Sequence, residues 1–222
     1  MTTKRKLRCR RHHGPRILIA MPIGTEMRGD IRTIQWADRL AWQPGATRLD
    51  VEFMFSPSNA CERGRNVIIQ IAARAKRPYT HILTLDSDVL PQPDMIERLL
   101  AHDKPIVAGI YPMQIGRCKM WSFKRDGQWC TAVDPRIELG EEAGYPLIEV
   151  EAVAGSCVLS RWDVFGAIGW PWYDVLYQPL DDQDRDVVYG EDVYFAHRAI
   201  ECGYPLFVDV TCTCDHFNRV AL

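Results

Sequence analysis

Short apolar runs alternate with longer amphipathic stretches over most of this 222-residue chain. RILIAMPIG (16–24) is apolar after its first residue and closes on proline and glycine, which predicts a buried strand running into a turn. Residues 29–41 predict a helix that offers Ile31, Ile34, Trp36 and Leu40 to a core. DVEFMF (50–55) reads as a strand with Val51, Phe53 and Phe55 on one face. CERGRNVIIQIAARAK (61–76) reads as a helix, with Ile68, Ile71, Ala72 and Ala75 at helical spacing. HILTL (81–85) is the next strand, and DMIERLLAH (94–102) is a short helix burying Ile96, Leu99 and Leu100 behind Pro91 and Pro93. KPIVAGIYP (104–112) is a further strand.

Strands and helices in strict alternation predict an α/β fold with a mostly parallel central sheet flanked by helices. Residues 113–146 are polar and show no period. The pattern resumes with a strand over 147–160 and a helix from SRWDVFGAIG, where Ser160 and Asp163 stand at capping-box spacing. Residues 170–190 read as a loop rich in aromatic and acidic side chains. EDVYFAHRAIECG (191–203) predicts a helix ending at Gly203, and YPLFVDVTCTCDHF (204–217) a last strand. No repeat or low-complexity linker divides the chain, so residues 16–222 are expected to form one domain, Rossmann-like in its order, behind a tail of residues 1–15.

Charge adds one asymmetry. Residues 1–16 hold seven Lys or Arg and no acid, leaving 20 basic against 29 acidic residues in the remainder, a net of −9. An acidic body argues against a nucleic-acid-binding fold. The tail reads as a solvated arm, with attraction to phosphate or anionic lipid as the alternative. No apolar run reaches the roughly 20 residues of a spanning helix, and no secretory signal stands out, so the expected location is the cytoplasm. The eight cysteines are dispersed without a CxxC pair and are expected to be free thiols.

The candidate chemistry begins where the strand 81–85 runs into Asp86, Ser87 and Asp88. Ligands of open α/β sheets lie beyond the carboxyl ends of the strands. Residues two apart in extended chain point the same way, so both carboxylates can face one ligand. Without a counter-charge they would repel each other, and a divalent cation removes that difficulty. The plainer reading makes Asp86 a strand-end acid and Asp88 a turn cap before Pro91.

LTLDSDVLPQPDMIERLLAHDKPIVAGIYP, VEAVAGSCVLSRWDVF and YGEDVYFAHRAIECGYPLFVD…CDHF, taken together, resemble the GT-A-fold glycosyltransferases, in particular the short, family-2-like enzymes of bacteria and phages. The likeness spans most of residues 16–218; the order of DSD, GED and a late histidine carries it, and 113–146 matches least. It implies a GT-A-like domain that moves a sugar from a nucleotide-sugar donor to an acceptor hydroxyl, a hexosyltransferase-type reaction proceeding with inversion. By the same resemblance, Asp88 and His216 hold a divalent metal that bridges the donor diphosphate. Asp86 stands beside them, touching metal, ribose or sugar. Mn2+ is favoured over Mg2+ because imidazole suits it better. Read by itself, His216 is an ordinary strand-end histidine.

Asp192 is the implied general base, with Glu191 as runner-up or as a group orienting the acceptor. At a helix N-terminus a carboxylate is stabilised in its ionised form, which is also why acids are common there for no catalytic reason. The resemblance further assigns Pro22, Gly24, Arg65, Asn66, Asp86, Ser87, Gly155 and Ser156 to the nucleotide-sugar. Trp170, Trp172 and Tyr173 offer stacking surfaces to an acceptor, although core packing is the commoner use of such rings. Cys212, Cys214 and His216 alternate on one strand and would make half a zinc site lacking a fourth ligand, so both thiols are read as structural. The acceptor class (glycan, lipid, protein or modified nucleic acid), the donor sugar and the oligomeric state stay open.

Two rivals stand beside this reading. A catalytically inactive sugar-nucleotide or carbohydrate-binding module would share the fold but has no need of a base. A nucleotidyltransferase would want a glycine-rich, basic loop after the first strand, and MPIGTEMRGD has too few glycines.

Overall fold

A computed structural model of the chain describes residues 14–25, 29–42, 49–115, 118–131, 147–179 and 186–217. The elements run β1 (Arg16–Ile23), α1 (Ile31–Trp42), β2 (Asp50–Pro57), α2 (Cys61–Ala73), β3 (His81–Thr84), β4 (Val89–Leu90), α3 (Met95–Ala101) and β5 (Ile106–Ile110). There follow β6 (Pro112–Ile115), β7 (Cys118–Arg125), β8 (Gln128–Thr131), β9 (Leu147–Val150), β10 (Ala152–Val153) and β11 (Val158–Arg161). The last are α4 (Trp162–Ile168), β12 (Leu176–Pro179), β13 (Asp186–Tyr189), α5 (Glu191–Glu201), β14 (Leu206–Thr213) and β15 (Asp215–His216).

The central sheet has seven strands in the order β2-β1-β3-β11-β5-β14-β9. β1 is parallel to β2 and β3, and β14 is parallel to β5. β11 runs antiparallel to both β3 and β5, and β9 antiparallel to β14. Five strands therefore share one direction and two oppose it.

Alternation along β1 sorts the core into two layers. Ile17, Ile19 and Met21 pack with Ala37 of α1 and with Met95, Ile96 and Leu99 of α3. Leu18 and Ala20 pack on the other face with Ile68 and Ile69 of α2, Val164 and Phe165 of α4, and Phe195 of α5. Period-two alternation sends each apolar residue of a central strand to a helix-covered face. Each such side chain contributes on the order of 1.5–3 kcal/mol by leaving water. No helix among the described residues is long and apolar enough to cross a membrane.

Several expectations are corrected. Of residues 113–146, expected to be without regular structure, the described ones belong to antiparallel ladders of β6, β7 and β8, with β10 also paired to β7, and 116–117 and 132–146 lie outside the described residues. The anticipated single strand over 147–160 is three short strands, because the chain turns twice to pass from the edge of the sheet to its centre. A hairpin, β12 with β13, occupies part of the expected loop 170–190. Ser160 lies inside β11 and α4 starts behind Arg161 without a side-chain cap, so the capping box is absent. Ile31 of α1 and Ile71 of α2 face solvent, as does Phe55 on edge strand β2. Gly203 holds φ of +84° just past α5, the left-handed position predicted for it.

Candidate functional site

The carboxyl ends of β1, β3, β5 and β14 meet along one edge of the sheet. Because β11 runs the opposite way, the segment that leads into it arrives at this edge too. The N-termini of α2 and α5 close the ring. Between them lies a cleft of about 420 Å3 lined by Pro22, Ile23, Gly24, Ser58, Cys61, Arg65, Asp86, Ser87, Asp88, Tyr111, Met113, Ala154, Gly155, Glu191, Asp192 and His216. Ten residues singled out from sequence are in that lining.

Asp88 and His216 form one pole. Nε2 of His216 is 3.7 Å from Oδ2 of Asp88. β15 brings the histidine there by pairing antiparallel with β4, placing His216 opposite Val89. Nδ1 lies 2.8 Å from the carbonyl of Pro112. A carbonyl only accepts, so Nδ1 donates its N–H to Pro112 and Nε2 is the nitrogen turned toward Asp88. Tyr111 packs edge-on against the imidazole at 5.2 Å. The Asp88 carboxylate facing Nε2 favours the protonated ring and raises the His216 pKa above its ordinary value.

Arg65 joins the remaining acids. It rises from the buried face of α2 with its side chain 3% exposed. Nη2 donates to Oδ1 of Asp86 at 2.8 Å, and Nη1 to Oε1 of Glu191 at 2.9 Å. The carboxylates of Asp86 and Asp88 thus line one cleft but turn to different cationic partners. For Asp86 the offsetting positive charge in the structure is the guanidinium of Arg65. Ser156 supports the same turn by accepting the Asp86 N–H on its Oγ at 2.8 Å. A β-carbon on Gly155 would stand 1.9 Å from Nη1 of Arg65, so a bare backbone is required there.

Glu191 and Asp192 open α5 behind Gly190. Burial raises the pKa of both, although Arg65 opposes the rise. Backbone N–H groups of the first turn also favour the ionised carboxylates, and burial outweighs them. Oδ1 of Asp192 accepts the N–H of Val193 at 2.8 Å.

Asn66, Ser156, Trp170, Trp172 and Tyr173 are not in the lining. Asn66 donates to the carbonyl of Tyr173 at 2.7 Å and accepts the backbone N–H of Trp172 and Tyr173. Tyr173 is buried, stacked on Phe195 at 5.0 Å. Trp172 donates its indole N–H to the carbonyl of Phe165 at 2.8 Å. Trp170 is exposed and touches Trp172 edge-on. The amide of Asn66 and the indole N–H of Trp172 are thus spent on backbone groups, and the Tyr173 ring is packed in the core, so none of the three faces the cleft.

Reasoning from sequence missed Ser58, Cys61, Tyr111, Met113 and Ala154 of the lining. Ser58 and Cys61 flank the start of a helix that follows a strand, and Tyr111 ends the apolar run of β5; both are strand-end positions that could have been marked. Burial pushes the Cys61 thiol up to about 11, so it is no ready nucleophile. Among the described residues no three His, Cys, Asp or Glu side chains are grouped to hold a metal ion. Cys212 and Cys214 are buried free thiols, in keeping with a structural role.

No protein-family model matches the chain, and no curated protein matches it by sequence. Solved structures do. The crystal structure of A197 from STIV superposes with a TM-score of 0.59 at 16% identity, over 91% of this chain and 85% of that one. GalNAc-T7, solved with UDP, GalNAc and Mn2+, superposes with a TM-score of 0.54 at 13% identity, over 93% of this chain and 44% of its own. At such identities the likeness speaks for the fold: this chain has a GT-A-like α/β fold.

Proposed function

We propose that the protein is a metal-dependent glycosyltransferase of the short, family-2-like kind, acting in the cytoplasm on a nucleotide-sugar donor with inversion. The observation that carries this reading is the cleft itself, where the Asp88–His216 pair and Asp192 face one space at the edge of a GT-A-like sheet. GalNAc-T7, of similar fold, was solved with UDP, GalNAc and Mn2+.

Asp88 Oδ2 and His216 Nε2 suit a divalent cation as a two-ligand site, one hard oxygen and one imidazole held in its metal-binding tautomer. Two protein ligands leave room for diphosphate oxygens, the usual arrangement for such ions at phosphate sites. Bound there, Mn2+ or Mg2+ would supply Lewis-acid stabilisation of the departing diphosphate. The chain's own groups account for the rest. Asp192 accepts the acceptor hydroxyl proton as that oxygen attacks the anomeric carbon and the bond to the diphosphate breaks. A pKa raised by burial brings the Asp192 carboxylate closer to the value at which a base is effective near neutral pH. Glu191 is the weaker choice because Arg65 already holds its carboxylate. Pro22, Gly24, Ser87 and Gly155 offer backbone and small side chains to the donor.

The test is incubation with Mn2+ and a panel of nucleotide-sugars, following release of nucleoside diphosphate. Release that is lost in Asp88→Ala supports the enzyme. Donor binding without turnover, across a panel of glycan, lipid and protein acceptors, would instead make this an inactive binding module.

A further inference from the structure

Arg65 carries a permanent charge where charge is costly. Its side chain is buried in the floor of the cleft, with the guanidinium 5.6 Å from the ring of Tyr173. Its two terminal nitrogens reach in different directions, one to Asp86 on the turn after β3 and one to Glu191 at the start of α5. The first turn also bears Asp88, and the second bears Asp192. A guanidinium already balanced by two carboxylates has little charge left for a diphosphate. Nor is it open to a ligand from above, since Gly155 lies so close that even a methyl group would overlap Nη1. The fork of an arginine is what allows one buried cation to hold two separate acids, and a lysine offers only a point charge.

We propose that Arg65 is a positioning residue, not a nucleotide ligand. It locks the donor-side carboxylate of Asp86 to the acceptor-side carboxylate of Glu191, and so fixes the metal-binding turn relative to the helix that carries the base. Gly155 is the slot that admits it. The catalytic part of this inference rests on the glycosyltransferase reading; the ion-paired lock does not.

Kinetics of Arg65→Lys with whichever nucleotide-sugar the wild type turns over would test the role. A misplacement of about 1 Å costs about 100-fold in rate, so kcat should fall by about that factor while the donor KM stays within about threefold. Affinity for Mn2+ alone, measured by its paramagnetic resonance signal, should be unchanged. A large rise in donor KM with kcat retained would identify Arg65 as a direct nucleotide ligand and overturn the proposal.

Thermal denaturation tests the lock without any turnover. Arg65→Met leaves two half-buried carboxylates uncompensated and should lower Tm by about 10 °C. Adding Asp86→Asn and Glu191→Gln removes those charges and should restore at least half of the loss. A triple variant that melts no higher than Arg65→Met sinks the lock even if the enzyme is active. Recovery of Tm in a protein that turns over no nucleotide-sugar upholds the lock and discards the reaction assigned to the cleft.

Discussion

His216 stands with its Nε2 3.7 Å from Oδ2 of Asp88, joining a two-residue strand near the end of the described chain to the turn that closes β3. Each partner is also held from behind. Pro112 fixes the imidazole through its carbonyl, and the N–H of Phe217 donates to the Asp88 carbonyl at 2.8 Å. The pair is thus preorganised by backbone contacts that cost little to keep, which is how a two-ligand metal site retains its geometry.

Asp88→Ala and His216→Ala should each weaken Mn2+ binding by about tenfold or more, read by titration of free Mn2+ by paramagnetic resonance. Both side chains are partly exposed, so Tm should move little. Wild-type affinity in both variants would rule out the pair as the metal site.

Asp192→Asn should leave Mn2+ and nucleoside diphosphate binding near wild type while lowering transfer by about 10²–10⁴-fold. A base works only when ionised, and burial raises this carboxyl pKa. kcat/KM should therefore rise with pH through a value above the ordinary aspartate range and fall away below it. An acid limb at or below the ordinary range would point to a different base.

Gly155→Ala should resemble loss of Arg65, because its methyl group would occupy the guanidinium's place. A shift of the buried cation is unavoidable, and a loss of about 2–4 kcal/mol in denaturant unfolding is expected. Wild-type stability with wild-type kcat would show that the neighbourhood yields more easily than the geometry suggests.

Tyr173→Ala should cost about 3–5 kcal/mol, as removal of a buried, stacked aromatic does. Trp170→Ala, at an exposed position, should change stability by about 0.5 kcal/mol or less. If Tyr173 served an acceptor instead, its substitution would raise acceptor KM and spare the unfolding midpoint.

The alternation of apolar runs with amphipathic stretches made β1, β2, β3, β5 and α1 to α3 legible, because a buried strand and a half-buried helix have distinct periods. It failed at β6 to β8, where β6 and β8 are four residues each and the eight residues of β7, CKMWSFKR, mix polar and apolar side chains without a clear apolar run. It also could not say that β11 runs against its neighbours, since direction within a sheet leaves no mark on a four-residue run. Asp86, Asp88, Glu191, Asp192 and His216 were recognisable by type and order. Their pairings were not: Arg65 could be read from sequence as a nucleotide contact or as a plain solvent-facing arginine, and neither reading anticipates its buried fork to Asp86 and Glu191. Trp172 and Tyr173 could be read from sequence as stacking surfaces or as core residues, and only the fold shows the Trp172 indole N–H bonded to the Phe165 carbonyl and the Tyr173 ring stacked on Phe195.

The two-residue pairing of β15 with β4 has a temporal consequence. Ribosomal synthesis delivers β4 with the first half of the chain, and its partner follows only after α5 and β14 have emerged. Until then the turn bearing Asp88 has no imidazole opposite it, so a nascent or truncated polypeptide ending between β14 and β15 would hold all seven strands of the central sheet and yet lack one of the two ligands of the proposed metal site.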